Sequence, residues 1–281
     1  MADPREVLRR HGLWAKKSWG QNFLVDRRAL EEIAHASGAE SGDVVIEIGA
    51  GLGTLTEVLA NTGAHVVAVE RDRDMVAVLR AELGGDARIE IAEANALTFD
   101  YAAVAPSSSG RKPIVVGNLP YQIASPLLFR FLDARASIAR VVVMLQKEMA
   151  DRIVAAPGTK EYGALSVMVR AVGVPKIVRR LQPGAFHPPP RVSSAVLRVE
   201  LDGQTRVPIA DEAWFSEVVH AAFGQRRKTL RNALKTVAEP AAIERAFSAL
   251  PLDGDRRGET LDVATFARLA AALIPGTSSP Q

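Results

Sequence analysis

Between Val44 and about Leu145 the chain alternates short β-branched runs with stretches of helical periodicity, and that alternation leaves few folds open. The runs VVIEI at 44–48, HVVAVE at 65–70, RIEIA at 88–92, PIVVGN at 113–118 and ARVVVML at 139–145 are the strand candidates, and all but RIEIA are mostly apolar. Strands of that kind are buried on both faces, as in a parallel sheet whose crossover helices cover both sides. TLTEVLA after the first run and DRDMVAVLRAEL after the second predict two crossovers. In the latter, Met75, Val78, Leu79 and Leu83 recur at helical spacing behind Asp72 or Asp74 as N-cap. Ser125-Pro126 reads as an N-cap with proline in the first helical position, ahead of LLFRFLD, and APSSSGRKP at 105–113 reads as a polar loop.

After Gly173 two extended stretches, 176–181 and 193–201, are joined by the proline-rich GAFHPPPRV, which fits a hairpin closing one sheet edge. Beyond Asp202 the periodicity is only helical. The expected organisation is an α/β, Rossmann-like sheet domain over 1–204, with 1–25 as an N-terminal arm, followed by a smaller all-helical domain over 205–276 and a disordered tail over 277–281.

Composition narrows the chemistry. Cysteine is absent, which excludes disulfides, thiolate catalysis and Cys-based zinc sites; His11, His35, His65, His187 and His220 lack ligand-like spacing, so no metal is expected. No run of about 18 apolar residues appears, and the start MADPREVLRR lacks the apolar region of a secretory signal, so no membrane association and a cytoplasmic location are expected. Lys and Arg total 35 against 32 Asp and Glu, but Arg5, Arg9, Arg10, Lys16 and Lys17 cluster early and Arg226, Arg227, Lys228, Arg231 and Lys235 cluster late. Each cluster is either a solvated face or a patch for a polyanion.

Gly49, Gly51 and Gly53 follow the first run directly, in EIGAGLGT. Glycines there let the backbone turn tightly and a ligand approach it. The spacing G-x-G-x-G departs from the dinucleotide fingerprint, whose third glycine would stand at Thr54, and so disfavours pyrophosphate. Glu70 ends the second run, where a carboxylate can accept from both hydroxyls of a ribose. Together these residues describe an adenosine-containing cofactor without phosphate. Asn95, after the third run, is either an amide for the adenine edge or a loop cap.

NLPY at 118–121 falls just past the fourth run, at the carboxyl end of the sheet, where open α/β folds bind ligands. The four residues suit methylation of a planar amine. The lone pair of an adenine N6 is delocalised into the ring, so attack on a sulfonium methyl needs acceptors that turn the amine toward tetrahedral geometry. The Asn118 side-chain carbonyl and the Pro120 backbone carbonyl are candidates, with the Tyr121 ring as a face for the base. Phe186 is either a second side of that base sandwich or a loop residue anchored in the core.

With GAGLG, NLPY and FHPPPRVSS in hand, the chain resembles the KsgA-type ribosomal RNA adenine dimethyltransferases. QNFL at 21–24, EIGAGLGTLT at 47–56, QKE at 146–148, YGALSV at 162–167 and FGQRRKTLRNAL at 223–234 match the family's blocks in order, from one end of the chain to the other. The resemblance implies a class I S-adenosylmethionine-dependent methyltransferase sheet with a helical C-terminal domain that binds RNA. It implies S-adenosylmethionine as cofactor and dimethylation of N6 on two adjacent adenosines in the 3′-terminal hairpin loop of small-subunit ribosomal RNA, within an immature 30S particle. Nothing suggests an obligate oligomer.

Carried over, Asn22, Leu24 and Gly49 border the methionine part of the cofactor with Gly51 in the loop, Glu70 holds the ribose, and Asn95 takes the adenine. Asn118 serves cofactor and target amine, and Tyr121 and Phe186 flank the base. Arg227, Lys228 and Arg231 belong to the RNA contact, with Arg227, Arg231 and Lys235 at helical spacing as one basic stripe. Two departures stand out: Asn95 replaces the family's Asp, and Ala50 its proline. The rival readings are a large-subunit adenine methyltransferase of the macrolide-resistance type, set against YGALSV and the FGQRRK segment, and a non-catalytic RNA-binding assembly or transcription factor, set against the intact NLPY.

Overall fold

A computed structural model describes residues 3–16, 19–201, 203–225 and 228–275. The arm opens with helix α1 (Pro4–Arg10), started by Asp3, whose carboxylate accepts from the Arg5 N–H. Strand β1 (Phe23–Leu24) and helix α2 (Arg27–Ser37) follow, the helix capped by Asp26 and stopped by Gly38 in the left-handed region. The alternation then proceeds through β2 (Val44–Ile48), α3 (Thr54–Ala60), β3 (His65–Glu70), α4 (Arg73–Leu83), β4 (Ile89–Glu93), β5 (Ile114–Asn118), α5 (Ala124–Asp133) and β6 (Arg140–Gln146). Asp72 is the N-cap of α4, its side chain accepting from the Asp74 N–H. The expected cap at Ser125 is not formed: α5 begins at Ala124, because a 3₁₀ turn over Tyr121–Ile123 already carries the chain into helical geometry.

Further on come α6 (Lys147–Val154), α7 (Ala164–Val172), β7 (Gly173–Leu181), β8 (Phe186–His187) and β9 (Ser194–Leu201). The seven-stranded sheet has the order β4-β3-β2-β5-β6-β9-β7, and β8 pairs with β1 in a separate two-stranded ribbon. The pairs β3–β4, β2–β3, β2–β5 and β5–β6 are parallel, and β9 runs antiparallel to β6. Neighbouring residues of opposite parity are equally buried: Val45 and Ile46, Val115 and Val116, and Val141 and Val142 are all 0 % exposed. Only a sheet covered on both faces buries both sets. α2 contributes Ala29, Leu30, Ile33 and Ala34 to the main apolar cluster, α3 adds Leu55 and Leu59, and α4 packs Leu79 on Ala68.

The chain divides into two units, Met1–Ala150 with Val174–Gln204, and Asp151–Gly173 with Thr205–Gln281. Asp151–Gly173, which the sequence reading placed in the sheet domain, belongs to the helical unit. Its Tyr162 ring meets Phe223 edge-on at 5.9 Å and its hydroxyl donates to the Leu261 carbonyl at 2.9 Å, tying the segment to later helices. Those are α8 (Glu212–Gly224), α9 (Leu230–Leu234), α10 (Pro240–Ala249) and α11 (Val263–Ala272). The expected tail 277–281 lies outside the described residues.

Candidate active site

The glycine loop is fixed by its own backbone. Gly49 donates to the Val69 carbonyl at 2.9 Å, and Gly49, Gly51 and Gly53 hold φ of +70°, +56° and +80°, where a side chain is strained. A Cβ on Gly53 would also stand 2.5 Å from Leu83 Cδ1. The loop aims the Gly51 N–H at Glu70 Oε2, 3.0 Å away, while Oε1 accepts from the backbone N–H groups of Arg71 at 2.7 Å and Asp72 at 2.9 Å. Three backbone donors thus orient the carboxylate, and a carboxylate's lone pairs are not exhausted by them.

On the next strand, Gly117 lets β5 lie close against β2: a Cβ there would fall 2.5 Å from the Ile48 carbonyl oxygen. Asn118 follows at the strand end. Its Nδ2 donates to the Asn22 carbonyl at 2.9 Å, so Oδ1 is the atom that the amide presents to a ligand. The Pro120 carbonyl accepts from the Ile123 N–H at 3.0 Å, closing the 3₁₀ turn and keeping a second lone pair. The Tyr121 hydroxyl lies 2.6 Å from Oγ of buried Ser194, which anchors the ring; burial pushes the phenol upward from its usual range, and the Ser194 bond partly offsets this.

The arm closes the other side. Asn22 donates through Nδ2 to the Gly20 carbonyl at 3.0 Å. Gln21 donates to Asp72 at 2.8 Å and Lys16 does so at 2.7 Å, so the residue that caps α4 also holds the arm down. The bond from Lys16 to Asp72, with a second that Lys16 donates to Asp74, raises the Lys16 ammonium above its ordinary value. Trp19 lies beneath the Arg71 guanidinium at 4.5 Å. Asn95 is exposed, and its side-chain oxygen accepts from the Leu97 N–H at 3.1 Å in a local turn. A cavity of about 290 Å³ brings Asn22, Leu24, Gly49, Gly51, Glu70, Asn95, Asn118, Pro120 and Tyr121 together on its lining. A carboxylate with open lone pairs, a bare glycine loop and a turn-anchored amide suit a nucleoside without phosphate.

Phe186 is not on that lining. It is 3 % exposed and sits in the main apolar cluster with Leu24 and Leu30, because β8 pairs Phe186 with Leu24 and turns the ring into the core. The expected basic stripe is also corrected. Arg227 lies outside the described residues, α8 ends at Gly224 and α9 starts only at Leu230, so no single helix sets Arg227, Arg231 and Lys235 in register. Arg231 pairs with Glu244, stands 3.7 Å from Asp255 and covers the Phe247 ring at 5.5 Å. Lys228 is exposed, and Lys235 donates to Asn232 at 3.0 Å.

Of the two acids on that lining, one was not singled out in the sequence. Glu47 faces the cavity from β2, 2 % exposed, with Thr56 Oγ1 donating to it at 2.5 Å. Its signal was visible as an acid inside an otherwise apolar, doubly buried run.

The ribosomal RNA adenine dimethylase family model matches residues 12–273. The chain belongs to that family. Ribosomal RNA adenine dimethylases use S-adenosylmethionine, and this chain is an S-adenosylmethionine-dependent adenine methyltransferase. It is 49 % identical, over 96 % of its length and 97 % of the relative's, to the ribosomal RNA small subunit methyltransferase A of Anaeromyxobacter sp. (strain K). To the protein of the same name from Myxococcus xanthus (strain DK1622) it is 47 % identical, over 100 % and 99 %. Among solved structures, a dimethyladenosine transferase from Plasmodium falciparum shares the fold with a TM-score of 0.70 at 24 % identity, covering 88 % of this chain and 95 % of that one. The 23S rRNA methyltransferase ErmE gives 0.68 at 25 % identity, over 90 % and 99 %. Family membership argues against the non-catalytic reading, and the much higher identity to the small-subunit enzymes disfavours the large-subunit one. Among the described residues no helix is long and apolar enough to cross a membrane.

Proposed function

We propose that the chain dimethylates N6 of two adjacent adenosines in the 3′-terminal hairpin loop of small-subunit ribosomal RNA, acting in the cytoplasm on an immature 30S particle. When bound, S-adenosylmethionine supplies an electrophilic sulfonium methyl. Glu70 then takes the ribose hydroxyls, and Asn95 meets the adenine edge; with its carbonyl already serving Leu97, the amide NH₂ is the freer half. Asn22, Leu24 and Gly49 border the methionine half.

The observation that carries the reading is the orientation of Asn118. Because Nδ2 is committed to the arm, Oδ1 accepts from one target N–H while the Pro120 carbonyl takes the other, which pulls the amine out of the ring plane. No base has to act first, since the amine proton becomes acidic once nitrogen carries the new methyl; the chemistry therefore calls for no metal. Tyr121, anchored through Ser194, offers its face to the base, a contact worth about 1–3 kcal/mol. Phe186 is left out of the base site, and Lys228 rather than Arg231 serves the phosphates. The protein works as a monomer.

The test is label from S-adenosylmethionine offered to unmethylated small and large subunits, followed by nucleoside analysis. Dimethyladenosine in the small subunit alone is expected, and label confined to the large subunit overturns the reading.

A further inference from the structure

The ring of Tyr121 is fixed at both of its ends, and the far end is held by a residue outside the cavity lining. Its root lies in the 3₁₀ turn Tyr121–Ile123, which the Pro120 carbonyl closes by accepting from the Ile123 N–H. Its hydroxyl meets Ser194 Oγ at 2.6 Å. Ser194 is 0 % exposed and opens β9, where it stands opposite Gln146 of β6. Beside that pair the Lys147 N–H donates to the Ser193 carbonyl at 2.9 Å, and Ser193 Oγ donates to the Gln182 side chain at 3.1 Å. The anchor therefore belongs to the seven-stranded sheet rather than to a loop. A tyrosine held only through Cβ can turn about χ1, whereas one held at its hydroxyl as well cannot swing without breaking a bond to a buried partner. With Phe186 in the core, the second ring expected around the base is not there to help hold it.

The two transfers to one amine place unequal demands on this ring. Before the first, the amine has two N–H groups, one for Asn118 Oδ1 and one for the Pro120 carbonyl. The nitrogen lone pair takes the methyl, the C–S bonding pair returns to sulfur, and one proton leaves to water. The amine that remains carries a methyl and a single N–H, so it can satisfy only one of the two acceptors. Its in-line placement for the second transfer then rests on one hydrogen bond and on stacking, where the first rested on two and on stacking. On the functional reading above, we propose that Ser194 is a positioning residue for the second methyl: by pinning Tyr121 it holds the monomethylated base in line when half of the amine's hydrogen bonding is gone. The second transfer ends as the first does, with the last N–H proton released to water and the C–S pair on sulfur. Ser194 lies off the cavity lining and acts through the ring.

Ser194→Ala and Tyr121→Phe each remove the bond and keep the ring. Unmethylated small subunits are offered S-adenosylmethionine with enzyme in excess, and monomethyl- and dimethyladenosine are followed over time by nucleoside analysis. In either variant the first transfer should stay within about three-fold of wild type while the second slows by about ten-fold, so that monomethyladenosine accumulates. The double variant should be no slower than the single ones, because all three lose the same bond. A variant that slows both steps alike or neither, or a double variant whose losses add, overturns the proposal. A purely structural Ser194 would weaken cofactor binding or packing and slow the two steps together; calorimetric titration with S-adenosylmethionine should instead give wild-type affinity for both single variants. If Ser194→Ala fails to fold, Tyr121→Phe, which changes no sheet residue, carries the same expectation. Absence of dimethyladenosine from the wild type overturns the functional reading itself, whereas a wild type that dimethylates beside variants that slow both steps equally overturns this proposal alone.

Discussion

Glu70 in the sheet unit and Arg231 in the helical unit are both charged side chains held from three sides, and they end in opposite states. The partners of Glu70 are backbone N–H groups, which orient it and leave its charge and spare lone pairs to a ligand. The partners of Arg231 are two carboxylates and a ring, which cancel the charge and use the side chain as packing. Backbone donors preorganise a group, whereas opposite charges consume it. The sheet unit keeps its polar groups available for chemistry, and at Arg231 the helical unit uses one for stability.

The sharpest way to break this contrast is Asn118→Ala, which deletes the oriented acceptor at the cavity. Single-turnover methyl transfer should drop by about 10²–10³-fold, the cost of losing one preorganised polar group in a reacting site. A rate within ten-fold of wild type would mean that the amide is scaffolding. Next in size, Glu70→Ala should weaken S-adenosylmethionine by about 100-fold, as two charge-assisted hydrogen bonds are worth about 3 kcal/mol together. Calorimetric titration reads this directly, and unchanged affinity would place the ribose elsewhere. The smallest effects refine the other half of the contrast. Arg231→Met should cost about 1 kcal/mol of unfolding free energy and leave the salt dependence of RNA binding alone. Lys228→Met should leave stability alone and reduce the salt slope by about one. If Arg231→Met flattened the slope instead, its charge would not be spent.

Legibility in the sequence follows the same division. VVIEI and HVVAVE became β2 and β3 residue for residue, because a strand buried on two faces must be a continuous apolar run. The glycines of the loop were readable because backbone conformation leaves few substitutes. The two-residue strands β1 and β8 were not, since two residues carry no period, and with them went the burial of Phe186. Asp151–Gly173 was assigned to the wrong unit because helical periodicity does not say which core a helix faces. Arg231 misled because its partners Glu244 and Asp255 lie on other elements, and a basic run looks the same whether or not it is paired. Asn118 was identified by its motif, but the direction of its amide depended on Asn22, 96 residues away.

That long reach has a consequence for when the enzyme becomes competent. The arm leaves the ribosome before the strands it meets, so the carbonyl of Asn22 waits for Asn118, and Phe23–Leu24 waits for Phe186–His187. During synthesis, which proceeds at about 5–20 residues per second, the cofactor cavity stays open on one side for most of the time the sheet unit takes to emerge. A nascent chain halted before Phe186 would carry every glycine of the loop and all of NLPY, and still lack the ribbon that seats the arm. Competence in this protein is therefore a property of the finished sheet unit, acquired late.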